Sequence, residues 1–441
     1  MEMRKSSVAI LAMILLITML APLGAQGSAD KDVEVKAPIV VCINESPWLP
    51  AFRILAQDYT DATGVPIEIR AFPFATMSER GLYAASSSES EFDIITMNES
   101  MVAKYYHDGL LTPLKDIDAG FEFDPEVIGY GGLNYWNEDL QYPVASGEPY
   151  SFPVNGNIQI LYYRKDLYDA AGLSTPKTWD DIIKAADLLA DPDKGFYGWA
   201  VRGQKGQMAL GWDFYPYLRG FGGEIFKDAP NDFTVTLNTP EALEALTFYA
   251  KLAHQYSPPG ASNIGQAEQI AMLAGGQLLQ TIVVAGATAQ MDDPKMSVVP
   301  GKIGYAVVPK PVDGVHATHT GALSMGIPRN ISDERKKQAF DFLVWATSTQ
   351  PQQTFADNGG VPIRTDSMET SGKENLRFLS AVADSADYTV SYPRIAAWLR
   401  IDEVIESRLS EVVAKMTTPE QALKTMQAEI TAIVKDEGLL K

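Results

Sequence analysis

The chain has 441 residues, of which 46% are hydrophobic and 21% are charged, a composition typical of a globular protein long enough to form two cores. Its formal net charge is -20 and its isoelectric point lies near 4.6, so electrostatic repulsion disfavours nucleic acid and anionic membrane surfaces as partners. Cys42 is the only cysteine, which excludes an intramolecular disulfide.

The first 29 residues have the pattern of a secretory signal peptide. A basic start precedes an apolar run over residues 8–20, and small residues follow around Ala25 and Gly27. The run is shorter than the roughly 20 residues that a membrane-spanning helix needs. We therefore expect cleavage and a periplasmic protein, with retention of the segment as an anchor as the alternative. Lipidation is not expected, because Cys42 lies well beyond the apolar run.

Strand and helix patterns alternate along the rest of the chain. A β-branched run at residues 39–43 precedes a helix pattern at 52–63, and further strand patterns follow at 67–69 and 92–96. This alternation predicts a parallel sheet covered by helices. The other predicted elements are strands at 158–163 and 198–201 and helices at 101–107, 179–190, 240–254, 333–347, 375–383, 395–416 and 419–435. Thr239 and Ser332 are the expected N-caps of two of these helices.

Sequence motifs for catalysis are absent. The chain contains no GxSxG, GxxxxGK[ST], HExxH or GxGxxG pattern. His316 and His319 have no acidic or cysteine partners at metal-ligand spacing, so solvated loop histidines are the favoured interpretation. The pair Asp180-Asp181 is more typical of a helix start than of a glycosidase. We therefore expect no enzyme activity, no catalytic residue, no metal and no cofactor.

Several motifs occur in a familiar order over residues 38–435. They are YSFPVNGNIQILYYRKDL at 150–167, AGL at 171–173, TWD at 178–180, LRGFGG at 218–223, GYAVVP at 304–309, GALSMGIP at 321–328 and GGVPIR at 359–364. On these motifs the chain resembles the carbohydrate-type extracellular solute-binding proteins of ABC importers, the maltodextrin- and polyol-binding kind. The resemblance covers nearly the whole mature chain.

The resemblance implies an α/β fold of the two-lobe periplasmic-binding-protein type (type II-like). Each lobe would have a mostly parallel sheet flanked by helices, with the ligand cleft between the lobes and a hinge that closes them. The implied division is a first lobe of residues 30–156 plus 306–350 and a second lobe of 157–305 plus 351–441, with crossings near 155–160, 304–308 and 347–354. The implied function is substrate-binding component of an ABC import system. The expected partners are a carbohydrate or polyol and the transmembrane subunits of the permease, and we expect a monomer.

A site for a sugar or polyol needs flat aromatic rings beside hydrogen-bonding side chains, because the ligand has C–H faces and many hydroxyls. Trp48 lies in a Pro-bounded loop after the first strand, with loop packing as the alternative role. Asn98 and Glu99 follow the third strand, where parallel sheets place ligand groups. Helix capping is the alternative for these two residues.

Other candidate residues rest on the resemblance. Asn157 in the first crossing matches a position that often contacts ligand, and Trp212 matches one whose aromatic ring commonly stacks on the sugar. Asp213 adjoins Trp212. Arg394 and Trp398 match a C-terminal segment that brings an aromatic and sometimes a basic residue to the cleft.

One position departs from the resemblance. Relatives usually carry a Gly-x-Trp element where this chain reads VAGAT at 284–288, so an expected stacking ring is missing near Gly286. The pocket is then larger or the ligand is shifted, and the ligand stays defined only as carbohydrate or polyol. Two alternatives remain open, namely an extracellular carbohydrate-active enzyme and a binder of another small solute such as a phosphorylated polyol or a peptide.

Overall fold

The computed structural model describes residues 37–206, 210–370 and 378–440. The predicted signal peptide lies outside these ranges. Within them, every helix is too short or too polar to cross a lipid bilayer.

Helices and short strands alternate along the described chain. The strands are β1 (Ile39–Asn44), β2 (Ile67–Phe72), β3 (Ile94–Asn98), β4 (Tyr135–Trp136), β5 (Glu148–Pro149), β6 (Ser151–Asn155), β7 (Gln159–Arg164), β8 (Phe226–Asp228), β9 (Asp232–Val235), β10 (Gln280–Val284), β11 (Ile303–Ala306), β12 (Thr318–His319), β13 (Leu323–Gly326) and β14 (Thr389–Val390). The helices of the first half are α1 (Leu49–Thr63), α2 (Phe74–Ser86), α3 (Glu99–His107), α4 (Leu114–Ile117), α5 (Lys165–Ala170), α6 (Trp179–Leu189) and α7 (Leu210–Gly220). Those of the second half are α8 (Pro240–Lys251), α9 (Gln266–Ala274), α10 (Thr288–Asp292), α11 (Asp333–Ala346), α12 (Thr349–Asp357), α13 (Thr365–Thr370), α14 (Phe378–Ser385), α15 (Trp398–Val413) and α16 (Pro419–Asp436).

The first lobe is built on a five-stranded sheet in the order β2-β1-β3-β13-β6. Its β1 pairs in parallel with β2 and β3, whereas β13 is antiparallel to β3 and β6. Side chains alternate between the two faces of a strand. Val41 and Ile43 accordingly pack in a core with Phe52 of α1, while Cys42 packs with Met77 of α2 on the opposite face.

The second lobe is built on the sheet β10-β7-β11, and both pairings are antiparallel. The prediction of α/β lobes is confirmed, but the mostly parallel sheet expected in this lobe is wrong. Because β7 pairs with strands far along the chain, its neighbours are not set by the local crossover that makes strands parallel. The largest core, which includes Trp179 of α6 and Tyr249 of α8, belongs to this lobe.

Two crossing segments between the lobes run side by side. Residues 156–158 join β6 to β7, and residues 307–322 join β11 to β13. Ile158 and Thr320 form a β-bridge between them, and the amide of Gly321 donates to the carbonyl of Asn157 at 2.8 Å. The backbone of Asn157 on the first crossing is therefore held in place by the second crossing.

We propose that the third crossing follows α12, at about residues 358–362, later than expected. Helix α12 occupies the predicted segment 347–354, and its Phe355 packs in the first-lobe core, 6.0 Å from the ring of Trp48. Val361 packs in the second-lobe core and accepts a hydrogen bond from the amide of Gly156. We therefore propose that the first lobe extends to about residue 357 rather than 350.

Local capping fixes several helix starts as predicted. Thr239 and Ser332 accept hydrogen bonds from backbone amides of the first turns of α8 and α11. Thr178 and Asp181 cap α6 reciprocally, which gives Asp181 a structural role. The predicted strand at 198–201 is wrong, because the Trp199 amide there donates to the carbonyl of Tyr256 in a loop contact.

Candidate functional site

A cavity of about 150 Å³ opens between the lobes, beside the two crossings. Five of the eight predicted residues line it, namely Trp48, Asn98, Glu99, Asn157 and Trp212. The other lining residues are Asn44, Glu45, Ser46, Pro47, Phe74, Arg202, Gln266, Val284, Gly321, Ala322, Leu323 and Tyr392. Both lobes therefore contribute polar and aromatic side chains to one space.

The first-lobe wall is formed where β1 and β3 end. These strands are parallel neighbours, so the residues that follow them lie at the same edge of the sheet. Asn98 does not cap α3 with its side chain, and its Oδ1 accepts a hydrogen bond from Ser100 at 2.9 Å. The side chain of Glu99 is 3% exposed, and neither carboxylate oxygen has a hydrogen-bond partner among the described residues. This buried carboxylate can accept hydrogen bonds from a solute.

Trp48 packs in the first-lobe core and also borders the cavity. Its ring packs edge-on against Phe52 at 5.9 Å and Phe355 at 6.0 Å, so it belongs to the first-lobe core. It also lines the cavity. The stretch of chain after β1 is thereby anchored by packing, which holds Glu45 and Ser46 in place at the rim.

The second-lobe wall centres on Trp212, near the start of α7. Its side chain is 8% exposed, and its indole Nε1 donates to the carbonyl of Thr320 at 2.9 Å. The guanidinium carbon of Arg202 lies 4.8 Å from the ring centroid, a cation–π contact. The ring is thus held by a hydrogen bond at its edge and by a cation over its face.

Arg202 is a lining residue that was not predicted. Its Nε donates to Gln269 Oε1 at 3.0 Å and its Nη2 donates to Gln266 Oε1 at 2.8 Å. Asp213 Oδ1 lies 3.5 Å from Nε. Burial lowers the pKa of Arg202 and raises that of Asp213, and each charge opposes the shift of the other. The signal in the sequence was a lone arginine directly after the apolar run Trp199-Ala200-Val201.

Three predicted residues lie behind the wall rather than on it. Asp213 is fully buried as the charge partner of Arg202 and also accepts a hydrogen bond from Tyr249. Arg394 does not line the cavity; it donates to the carbonyls of Tyr130 and Gly131, and its Nη2 lies 3.8 Å from Glu99 Oε2.

Trp398 is the third of these residues, and it is fully buried against Tyr392 at 4.5 Å between ring centroids. Tyr392 is the aromatic of this C-terminal segment that lines the cavity. The segment therefore reaches the site through a different ring from the one predicted.

The position of the missing aromatic lies on the second-lobe wall. Val284 lines the cavity there, and the amide of Gly286 donates to Asn157 Oδ1 at 3.3 Å. Val284 and the backbone contact of Gly286 therefore occupy the position where the resemblance implies an aromatic ring.

The two histidines of the second crossing differ in environment. His316 Nδ1 lies 2.9 Å from the carbonyl of Val308, whereas His319 is 0% exposed and its Nδ1 lies 2.8 Å from Glu99 Oε1. The prediction of a solvated loop residue is wrong for His319. In the part of the chain that the structure describes, no group of three or more His, Cys, Asp or Glu side chains is arranged to hold a metal ion.

A larger groove, of about 830 Å³, lies on the surface of the second lobe beside the second crossing. It runs between α6 and α8 and is bordered by residues 311–314. None of the described residues of the five-stranded sheet or of α1 to α4 borders it, so lobe closure would not enclose a ligand there.

Comparisons with known proteins agree with this arrangement. The family described as bacterial extracellular solute-binding protein matches residues 45–353. A probable amino-acid ABC transporter periplasmic-binding protein of Sinorhizobium fredii is 25% identical over 89% of this chain and 88% of its own length. A mannitol-binding protein of Pseudomonas aeruginosa is 30% identical over 62% of this chain and 59% of its own length.

Solved structures share the fold. An ABC transporter solute-binding protein of Agrobacterium radiobacter in complex with ribitol has a TM-score of 0.78 and 24% identity, covering 90% of this chain and 98% of that one. Maltose-bound MalE3 of Thermotoga maritima has a TM-score of 0.79 and 22% identity, covering 90% of this chain and all of the other. The predicted two-lobe binding-protein fold is confirmed.

Proposed function

The chain belongs to the family of bacterial extracellular solute-binding proteins, and we propose that it captures a sugar or polyol in the inter-lobe cleft for an ABC importer. The observation that carries the proposal is the pairing of two walls across one cavity. A buried carboxylate without a hydrogen-bond donor, Glu99, lies on the first lobe, and a fixed aromatic ring, Trp212, lies on the second.

A polyhydroxy solute fits the chemistry of these walls. A buried carboxylate that lacks donors costs free energy, and solute hydroxyls can supply the donors. The amides of Asn98 and Asn157 can both donate and accept, which suits groups that do the same. The face of Trp212 offers an apolar surface for C–H groups. The similar mannitol-binding protein supports a polyol as ligand class.

The charges on the walls favour an uncharged solute over a phosphorylated one. Glu45, Glu99 and Arg202 are the charged residues that line the cavity, and Arg202 is already compensated by Asp213. A phosphate group would therefore face the carboxylates of Glu45 and Glu99, of which Glu99 lies 3.8 Å from Arg394 Nη2, and one cation that is already paired with Asp213. This arrangement argues against the phosphorylated-polyol alternative.

Capture is proposed to be reversible and non-covalent. The solute bridges both walls, so the closed arrangement of the lobes binds it best, and opening at the crossings releases it to the permease. The importer's transmembrane subunits are the proposed partners, the periplasm is the proposed location, and the protein is proposed to act as a monomer. A chromogenic glycoside tests the enzyme alternative, because turnover that is abolished in Glu99→Gln would replace capture by catalysis.

A thermal-shift panel tests the ligand class. D-mannitol, ribitol, D-tagatose, maltose and sn-glycerol 3-phosphate are compared at equal concentration. A ligand present at 100 times its dissociation constant adds about 2.7 kcal/mol of stability. We expect at least one uncharged member to raise the melting temperature and the phosphate ester to leave it unchanged. A rise with the phosphate ester alone would refute the charge argument.

A further inference from the structure

His319 lies directly behind the cavity, in the second crossing. Its ring centroid lies 4.3 Å from that of Tyr392 and 5.6 Å from that of Trp212, and both of these rings line the cavity. Its Nδ1 lies 2.7 Å from the carbonyl oxygen of Thr320 and 2.8 Å from Glu99 Oε1. Both neighbours are acceptors, so Nδ1 carries a hydrogen.

That single hydrogen has two acceptors within reach. The hydrogen bond goes to Thr320, and the approach to Glu99 is a close contact that leaves the carboxylate without a hydrogen bond among the described residues. Arg394 Nη2 lies 3.8 Å from Glu99 Oε2, which is beyond hydrogen-bond length. Of these two donors, His319 Nδ1 lies nearer to the carboxylate.

The backbone of the same segment holds the other solute-facing residues. The carbonyl of Thr320 accepts from Trp212 Nε1, and the amide of Gly321 donates to the carbonyl of Asn157. The three consecutive residues 319–321 thus contact lining residues from the first lobe, the second lobe and the first crossing. A movement of this segment would shift both walls of the cavity together.

We propose that His319 is a positioning residue for solute capture. The close approach of its Nδ1 to Oε1, at 2.8 Å, places the Glu99 carboxylate against the solute, and its segment holds Trp212 and Asn157 in fixed positions relative to that carboxylate. Solute contact at either wall is thereby linked to the crossing, the part of the chain that must bend when the lobes close. The inference rests on the proposed function, because it assumes a solute that donates hydrogen bonds to Glu99.

Two replacements of His319 distinguish a role in positioning Glu99 from a role in packing alone. In His319→Asn the amide nitrogen can take the place of Nδ1, whereas in His319→Gln it lies near the place of Nε2. The dissociation constants of D-mannitol and ribitol are measured by calorimetry for both variants. We expect His319→Asn to stay within about threefold of the wild type and His319→Gln to bind at least about tenfold more weakly.

A double-mutant cycle tests the link to Glu99. Glu99→Gln alone is expected to weaken binding, and the double variant Glu99→Gln/His319→Gln should bind no more weakly than the weaker single variant. His316→Gln is the matched control, because His316 belongs to the same crossing but does not line the cavity, and its affinity should be unchanged. Gly321→Ala probes the segment independently, since the added Cβ would lie 3.2 Å from Trp212 Cζ2 and should also weaken binding.

The outcomes are distinguishable. Equal affinities of His319→Asn and His319→Gln, or additive losses in the cycle, would overturn the positioning role while the proposed function stands. A wild-type protein that binds no sugar or polyol refutes the proposed function and this inference together. Melting temperatures are recorded for every variant, because a purely structural role lowers stability without separating the Asn and Gln variants in affinity.

Discussion

Trp212 is fixed from two directions before any solute arrives. Arg202 lies over its face and the Thr320 carbonyl accepts its N–H, so the ring would lose little freedom on stacking against a solute, the role proposed for it. Preorganisation of this kind improves affinity by lowering the ordering cost of binding. Arg202 in turn is held by two glutamines and by Asp213, so the charge of this arginine beside the proposed site is already compensated within the protein.

We predict that Trp212→Ala lowers the affinity for the bound polyol or sugar by at least about tenfold, which corresponds to roughly 1.4 kcal/mol. Trp212→Phe keeps a ring but loses the bond to Thr320, so an intermediate affinity is expected. Calorimetric titration measures both. Trp136→Phe is the control, since Trp136 is a buried first-lobe residue that does not line the cavity. Wild-type affinity in Trp212→Ala would exclude this wall from the site.

A second residue-scale prediction concerns pH. Burial, with Glu406 beside it, raises the pKa of Asp402 in the folded protein well above its ordinary value. Folding therefore takes up a proton, and stability falls as pH rises from about 4, the unfolded value, toward the folded pKa. Asp402→Asn removes this dependence, so its free energy of unfolding should fall less between pH 5 and 8. Urea denaturation at several pH values measures it.

Glu403→Gln is the matched control for this experiment, because Glu403 is the next residue on α15 and is exposed. Its stability should follow the wild-type pH dependence. If Asp402→Asn and the wild type lose the same stability over this range, Asp402 is ionised in the folded protein.

Among the elements, the first crossing packs closely against its neighbours. A Cβ at Gly156 would lie 2.3 Å from the hydroxyl of Tyr130 and 2.6 Å from the carbonyl oxygen of Pro362. Because the second of these atoms belongs to the backbone of the third crossing, the clash cannot be relieved by a rotamer change. The glycine allows the crossings to lie side by side.

We predict that Gly156→Ala lowers the free energy of unfolding by about 1–3 kcal/mol, the usual cost of overpacking. Gly129→Ala is the control, since its Cβ would meet nothing within 4 Å and its φ of -78° suits any residue. The control should change stability by less than about 0.5 kcal/mol. Chemical denaturation compares the two, and equal stabilities would show that the crossings are loosely packed.

Elements with local signals were predictable from the sequence, and elements defined by distant partners were not. The capped helices α8 and α11 lie close to their predicted bounds because Thr239 and Ser332 act within one turn. The place of β13 between β3 and β6 depends on contacts between remote segments, and no local pattern encodes it. The antiparallel pairing of β7 with β10 and β11 likewise depends on contacts between remote segments.

The residues of the candidate site likewise divide into those that the sequence predicts and those that it does not. Asn98 and Glu99 were predictable because the end of a parallel strand is a recurrent ligand position. Arg202 and Tyr392 reach the cavity only through tertiary packing of the second lobe, so neither was predicted. The resemblance identifies the C-terminal segment that reaches the cavity, but it does not identify which ring of that segment lines it. Tyr392 lines the cavity and Trp398 does not.

At the scale of the whole molecule, two lobes meet at crossings that lie side by side, and the cavity stands beside them. A solute that touches both walls should therefore favour closure. We predict that a saturating sugar or polyol reduces the radius of gyration measured by small-angle X-ray scattering. Glu99→Gln at the same solute concentration should show a smaller change. An unchanged radius in the wild type, with binding verified, would mean that capture occurs without closure.

Isothermal titration calorimetry of the wild-type protein tests the central claim most directly. The claim is that the cleft between the lobes holds one uncharged sugar or polyol. We expect one-to-one binding of at least one of D-mannitol, ribitol and maltose, and no competition when sn-glycerol 3-phosphate is added first. The absence of binding by every uncharged ligand, or displacement of the bound one by the phosphate ester, would contradict the account.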